Sequence, residues 1–187
     1  MDIHDLLDHC DWAEAAAAIS LYENISKIPS PANRDLPLHV SLRNKAPTSL
    51  LMTLIESYPE AVDLPSSSSN EFPLSLALQY LDDPPSDLLL RLATPASSKG
   101  VSSFGETPLF AAISKKAPTT VVSQLLSLNP SAAGVPDEMD QFPLHEAVAV
   151  KADEALIRAL YDAYPDAAAE ENRDGTIVEG FWTPTTK

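Results

Sequence analysis

Two sets of prolines recur at one interval, and this limits the fold more than any other feature of the chain. Pro37, Pro73, Pro108 and Pro143 stand 36, 35 and 35 residues apart. Pro59, Pro95, Pro130 and Pro165 keep the same intervals, each 22 residues after its partner in the first set. A fixed interval of this size marks a repeat architecture. Each unit is one small supersecondary element that buries its apolar face against its neighbours.

The residues around the first set repeat as well: Leu36-Pro37-Leu38-His39, Phe72-Pro73-Leu74-Ser75, Thr107-Pro108-Leu109-Phe110 and Phe142-Pro143-Leu144-His145. Proline suits the first turn of a helix, where its missing N–H has no partner to lose and its φ is already helical. Each motif therefore opens a short helix. A small residue follows in each copy (Ser41, Ala77, Ala112, Ala147) and would let a neighbouring helix approach closely. About ten residues on, a second start signal appears at Pro47-Thr48-Ser49, Pro84-Pro85-Ser86-Asp87, Pro118-Thr119-Thr120 and Asp153-Glu154. A longer apolar stripe follows: Leu50, Leu51, Leu54, Ile55 and Tyr58; then Val121, Val122, Leu125 and Leu126; then Leu156, Ile157, Leu160, Tyr161 and Tyr164. That spacing is one face of an α-helix. Leu88 to Leu92 gives a shorter version. The second proline stops the helix, because the residue before a proline is pushed out of the α region.

Polar turns join the units at 63–71, 96–105, 134–141 and 172–175. The N-terminus reads as a degenerate capping unit. Asp2-Ile3-His4 lies 35 residues before Pro37-Leu38-His39, and a second helix is expected from Asp11, which would cap it. The domain organisation expected is one repeat domain over 1–187: a capping helix pair at 1–30, four repeats at 31–175, and a tail or partial cap at 176–187. Phe181 and Trp182 would form a plug or a docking pair within that tail.

A repeat of helix, turn and helix opening with Thr-Pro-Leu-His resembles the ankyrin repeat. Thr107-Pro108-Leu109, preceded by Gly105-Glu106, and the Pro-Leu-His matches at 37–39 and 143–145 carry the resemblance, which covers residues 2 to 175. The chain departs from the pattern in two places. The glycine between the helices is replaced by Ala-Pro or Asp, and the Gly-Ala after the second helix by Tyr-Pro-x-Ala-Ala or its relatives. The resemblance implies an all-α, curved ankyrin-type solenoid of four full repeats plus the N-terminal capping pair. It implies a partner bound on the concave face, built from turn fingers and the exposed side of the first helices. It also gives His39 and His145 a structural role, bonding backbone between repeats.

Composition narrows the partner. The net charge is −15, with −6 over residues 1–24, −1 over 25–136 and −8 over 137–187. Nucleic acid needs clustered Lys and Arg, which are lacking. A basic protein surface would be attracted. No apolar run approaches the ~20 residues of a membrane span. The acidic start is unlike a targeting peptide, and Cys10 is the single cysteine, so a cytoplasmic or nuclear setting is expected.

The candidate chemistry is thin. His39 and His145 have no acid or nucleophile at a shared offset, and the other copies carry Ser75 and Phe110. His4, His9 and Cys10 do not have zinc spacing. Phosphate-loop, dinucleotide and nucleophile-elbow motifs are missing, and the acids at 82–83 and 137–140 do not form a calcium loop. No catalytic residue, cofactor or metal is expected. The partner-binding residues expected are Arg43, Asn44, Gln79, Tyr80, Ser114 and Lys115, on the exposed side of the first helices. The reading is a monomeric, non-enzymatic adaptor or scaffold. The alternative is a regulatory or targeting repeat region of a larger multidomain protein, such as a kinase or ubiquitin ligase subunit. An enzyme using His9 and Cys10 is the third and weakest reading.

Overall fold

The computed structural model describes residues 2–22, 24–172, 175, 177 and 178. Among these residues the chain is all-helical, with ten α-helices and no strand. It divides into two compact units, Met1–Ser97 and Ser98–Lys187. The division falls inside the polar segment 96–105.

The N-terminal unit holds α1 (Ile3–Asp8), α2 (Trp12–Leu21), α3 (Pro37–Arg43), α4 (Thr48–Ser57), α5 (Pro73–Tyr80) and α6 (Ser86–Leu92). The C-terminal unit holds α7 (Pro108–Ser114), α8 (Thr119–Leu128), α9 (Pro143–Ala149) and α10 (Glu154–Ala163). The first prolines occupy the first helical position of α3, α5, α7 and α9, each preceded by an extended residue. The second helices begin where their start signals place them, and α6 is the short one. At α10 the Asp153 carboxylate accepts from the Leu156 N–H at 2.8 Å.

Packing follows the predicted stripes. Leu50, Leu51, Leu54 and Ile55 of α4 are buried, as are Val121, Val122 and Leu125 of α8. First helices pack on first helices, α3 on α5 and α7 on α9, across the fully buried small residues Ser41, Ala77, Ala112 and Ala147. Each fully buried leucine, such as Leu74 or Leu88, contributes roughly 2 kcal/mol.

Three local features differ from the sequence reading. The missing inter-helix glycine is replaced by a left-handed lysine: Lys45, Lys116 and Lys151 have φ of 55°, 54° and 59°. The next N–H closes each turn onto a carbonyl five residues back, Ala46 to Ser41, Ala117 to Ala112 and Ala152 to Ala147, all at 2.9 Å. The second proline does more than stop a helix, because Pro59, Pro130 and Pro165 each start a 3-10 turn. Asp11 precedes α2 but makes no side-chain cap; its ψ of 64° is not extended, and its N–H closes the preceding turn onto Leu6. The side-chain cap in this pair belongs to Asp2, which accepts from the His4 N–H at 3.0 Å.

A second left-handed position recurs three residues before each first proline, at Arg34, Asn70, Gly105 and Asp140. Each belongs to a finger-like turn closed at its base by a backbone bond from the N–H of Ser30 to Asp35, Ser66 to Glu71, Ser102 to Glu106, or Asp137 to Gln141, with a second bond from the left-handed residue's N–H back to the first residue's carbonyl. Of the expected tail, Ile177 is exposed and Val178 buried. Phe181 and Trp182 lie outside the described residues.

Candidate functional site

The histidines are the groups most able to do chemistry near neutral pH. His39 accepts from the Leu36 N–H at Nδ1 (3.1 Å), which leaves Nε2 to carry the proton and donate to the Leu64 carbonyl at 2.9 Å. His145 repeats this, with Nδ1 on the Phe142 N–H (3.1 Å) and Nε2 on the Glu170 carbonyl (3.1 Å). His4 sends Nε2 to the Ile28 carbonyl at 2.8 Å. All three histidines tie the start of a first helix to the segment after its second helix, 24 or 25 residues on. Burial pushes His39 and His145 below the ordinary histidine pKa, with backbone bonds opposing it. Both are therefore neutral, and their ring nitrogens are fully used.

The densest polar cluster lies in the N-terminal unit. Asp35 is fully buried at the base of the first finger. It accepts from the Ser66 hydroxyl (2.8 Å), the Ser68 hydroxyl (2.6 Å), the Ser68 N–H (3.1 Å) and the Arg43 guanidinium. Burial raises its pKa, but the bonds from Ser68, Ser66 and Arg43 outweigh it and hold the carboxyl at about 2. An acid, serines and a nearby histidine invite comparison with a hydrolytic triad. The bonding excludes it here, because both His39 nitrogens are on backbone and neither reaches a serine.

The six expected contact residues fall into different settings. The Arg43 side chain is only 20% exposed and clamps Asp35, Ser66 and Ser69, so it is not a free surface cation. Asn44 is also turned inward, donating to the Leu7 carbonyl at the end of α1 (3.1 Å). Gln79 and Tyr80 are half-buried at the end of α5, and the Gln79 Oε1 is buried without a hydrogen-bond partner. Ser114 and Lys115 are exposed at the end of α7. Ser114 and Lys115 are thus the exposed members, while Tyr80, half-buried, belongs to the other unit.

Sequence reasoning placed turns at 96–105 and 134–141 but did not single out the residues at their tips. Their tips carry Phe104 and Met139, 58% and 57% exposed. The two turns touch: a Cβ on Gly105 would lie 3.0 Å from the Glu138 Cγ. Acids crowd the same place. Burial raises the Glu106 pKa, Asp137 and Glu146 raise it further, and Lys115 opposes them. The signal for Phe104 and Met139 was positional: both stand four residues before a first proline, where the N-terminal unit has Asn33 and Ser69.

His4, His9 and Cys10 do not converge: His4 is buried on Ile28, His9 bonds the Asp5 carbonyl, and Cys10 is exposed. Among the described residues no group of three His, Cys, Asp or Glu could hold a metal, and no helix is long and apolar enough to cross a membrane. A groove of about 170 Å³ between α7, α8, α9 and α10 is smaller than an ordinary small-molecule site of roughly 300 Å³ or more.

No protein-family model matches the chain, and no curated protein matches it. Among solved structures it is similar to a chain of the complex of the predatory endopeptidase Bd0816 from Bdellovibrio bacteriovorus with the immunity protein Bd3460. The TM-score is 0.60 at 15% identity, over 95% of this chain and 88% of that one. At that identity the likeness is one of fold.

Proposed function

We propose that the chain is a monomeric, non-enzymatic protein-binding module of ankyrin-type repeats, taking a partner through the ends of its first helices and its finger turns. The observation that carries this reading is recurrence. Helix pair, left-handed lysine turn and finger appear in phase in both units, with the apolar stripes turned inward and the fingers exposed. A scaffold of this kind presents loop residues on rigid elements, which suits recognition. The histidine chemistry supports the same reading, because His39 and His145 have no free nitrogen to act as acid or base. The likeness to a chain found in a two-protein complex is in keeping with it.

The test is recovery of partners by the tagged full chain. Three variants alter the proposed surface: Tyr80→Ala, Ser114→Arg and Lys115→Glu. A control changes the exposed face of α8, Ser123→Arg with Gln124→Arg. The reading expects a partner that survives the α8 control and is lost or strongly reduced in the surface variants. Equal recovery by all of them, or loss only in the α8 control, contradicts it.

A further inference from the structure

We infer that the paired finger turns of the C-terminal unit, 102–106 and 137–141, form a docking point for a cationic polypeptide segment carrying an apolar side chain, seated against Phe104 and Met139. This rests on the protein-binding reading above and names the chemistry of the partner. Three observations carry it.

The first is that the fold does not need these side chains. The positions in phase with Phe104 and Met139 are Asn33 and Ser69 in the N-terminal unit, where turns one residue longer are likewise closed by a backbone bond across their base. Two large apolar groups left more than half exposed at equivalent turns cost solubility without adding to a core. The second is adjacency. Gly105 lies against Glu138, so the two tips stand on neighbouring turns that touch. Gly105 has a φ of 75°, and any other residue would be strained there. An aromatic ring and a flexible thioether carried on touching turns suit an apolar anchor of variable shape.

The third is charge. The two turns contain Glu106, Asp137, Glu138 and Asp140 and no Lys or Arg. Asp137 is held in its turn by the Met139 and Gln141 N–H groups at 2.8 and 2.9 Å. Glu106, Asp137 and Glu146 lie near enough to repel, with Lys115 as the opposing charge. Nucleic acid and anionic lipid surfaces are repelled by such a rim. A Lys- or Arg-bearing segment is drawn to it and relieves the repulsion. Apolar tips supply affinity, and the acidic rim supplies selection and faster encounter.

The experiment uses the full chain and three labelled peptides of twelve residues, read by fluorescence anisotropy in low salt and in about 0.5 M salt. One peptide carries lysines and arginines around a central Leu-Phe pair. In the second, serines replace Leu-Phe; in the third, glutamates replace the cations. The inference expects binding of the first alone. High salt should weaken it at least 5-fold, because surface charges are then screened over about 4–5 Å. Phe104→Ser with Met139→Ser should weaken it about 10-fold or more, and Glu138→Lys with Asp140→Lys should do likewise. Leu21→Ser with Tyr22→Ser, which alters exposed apolar groups elsewhere, should leave binding unchanged, and circular dichroism confirms that each variant folds. Three results overturn the inference: binding that persists in the Phe104/Met139 variant, equal binding of the serine peptide, or binding of none of the peptides. The two readings separate in partner recovery. A partner lost with Tyr80→Ala or Lys115→Glu but kept with Phe104→Ser and Met139→Ser leaves the module standing and sinks this docking point.

Discussion

At His39 and His145 the Nδ1 bond from a backbone N–H and the Nε2 bond to a backbone carbonyl admit one protonation state, the neutral ring with its proton on Nε2. A second proton would displace the Nδ1 bond inside the fold. Burial sets both folded pKa values below the unfolded histidine value of 6.5, so the unfolded chain binds protons more readily as pH falls. Their contribution to stability is complete above about pH 6.5 and is lost as pH drops from there toward the lowered folded values. Urea unfolding should therefore show a lower midpoint at pH 5.5 than at 7.5, and His39→Gln with His145→Gln should flatten the difference. His39→Ala alone should cost about 2 kcal/mol, from one carbonyl and one N–H left unpaired in the interior. Asp35 acts in a lower window. Its pKa is held at about 2 against 3.8, so its contribution is present above pH 3.8 and is lost between there and about 2. Asp35→Ala leaves Arg43 partly buried without its partner and should cost about 3 kcal/mol in denaturant titration.

The turns between helices show what the sequence allowed a reader to see. Helix starts were legible because proline at the first helical position is a local steric signal. The second-helix stripes were legible because burial follows the 3.6-residue period. The missing glycines were legible only as missing. That Lys45, Lys116 and Lys151 would take the left-handed place depends on a turn closed by the next residue's N–H, which composition does not reveal. A non-glycine residue there carries a conformational cost of about 1 kcal/mol. Lys116→Gly, at an exposed position, should therefore raise the unfolding midpoint by an amount equivalent to about 0.5–1 kcal/mol. Gly134 is the opposite case: a Cβ there would lie 3.0 Å from the Tyr164 ring, itself stacked on Phe142. Gly134→Ala should destabilise by about 1–2 kcal/mol on the same assay. The candidate surface was less legible than the elements. Arg43 looked exposed from its helix face, yet Asp35 and two finger serines, Ser66 and Ser69, turn it inward, and that pairing spans a loop whose path a sequence does not show. Phe104 and Met139 were passed over because turn residues read as solvent-facing punctuation.

At the scale of the molecule, the proposed role is recognition of another protein, and the charge of −15 and the phased repeats are in keeping with it. The acids of the C-terminal turns give that recognition a sign. The most direct measurement is hydrogen–deuterium exchange of the full chain, alone and with a recovered partner. The account predicts slowed exchange in the finger turns, 102–106 and 137–141, and at the ends of α7 and α9, with the exposed faces of α8 and α10 unchanged. Slowed exchange confined to α8 and α10, with the fingers exchanging as in the free chain, would contradict it.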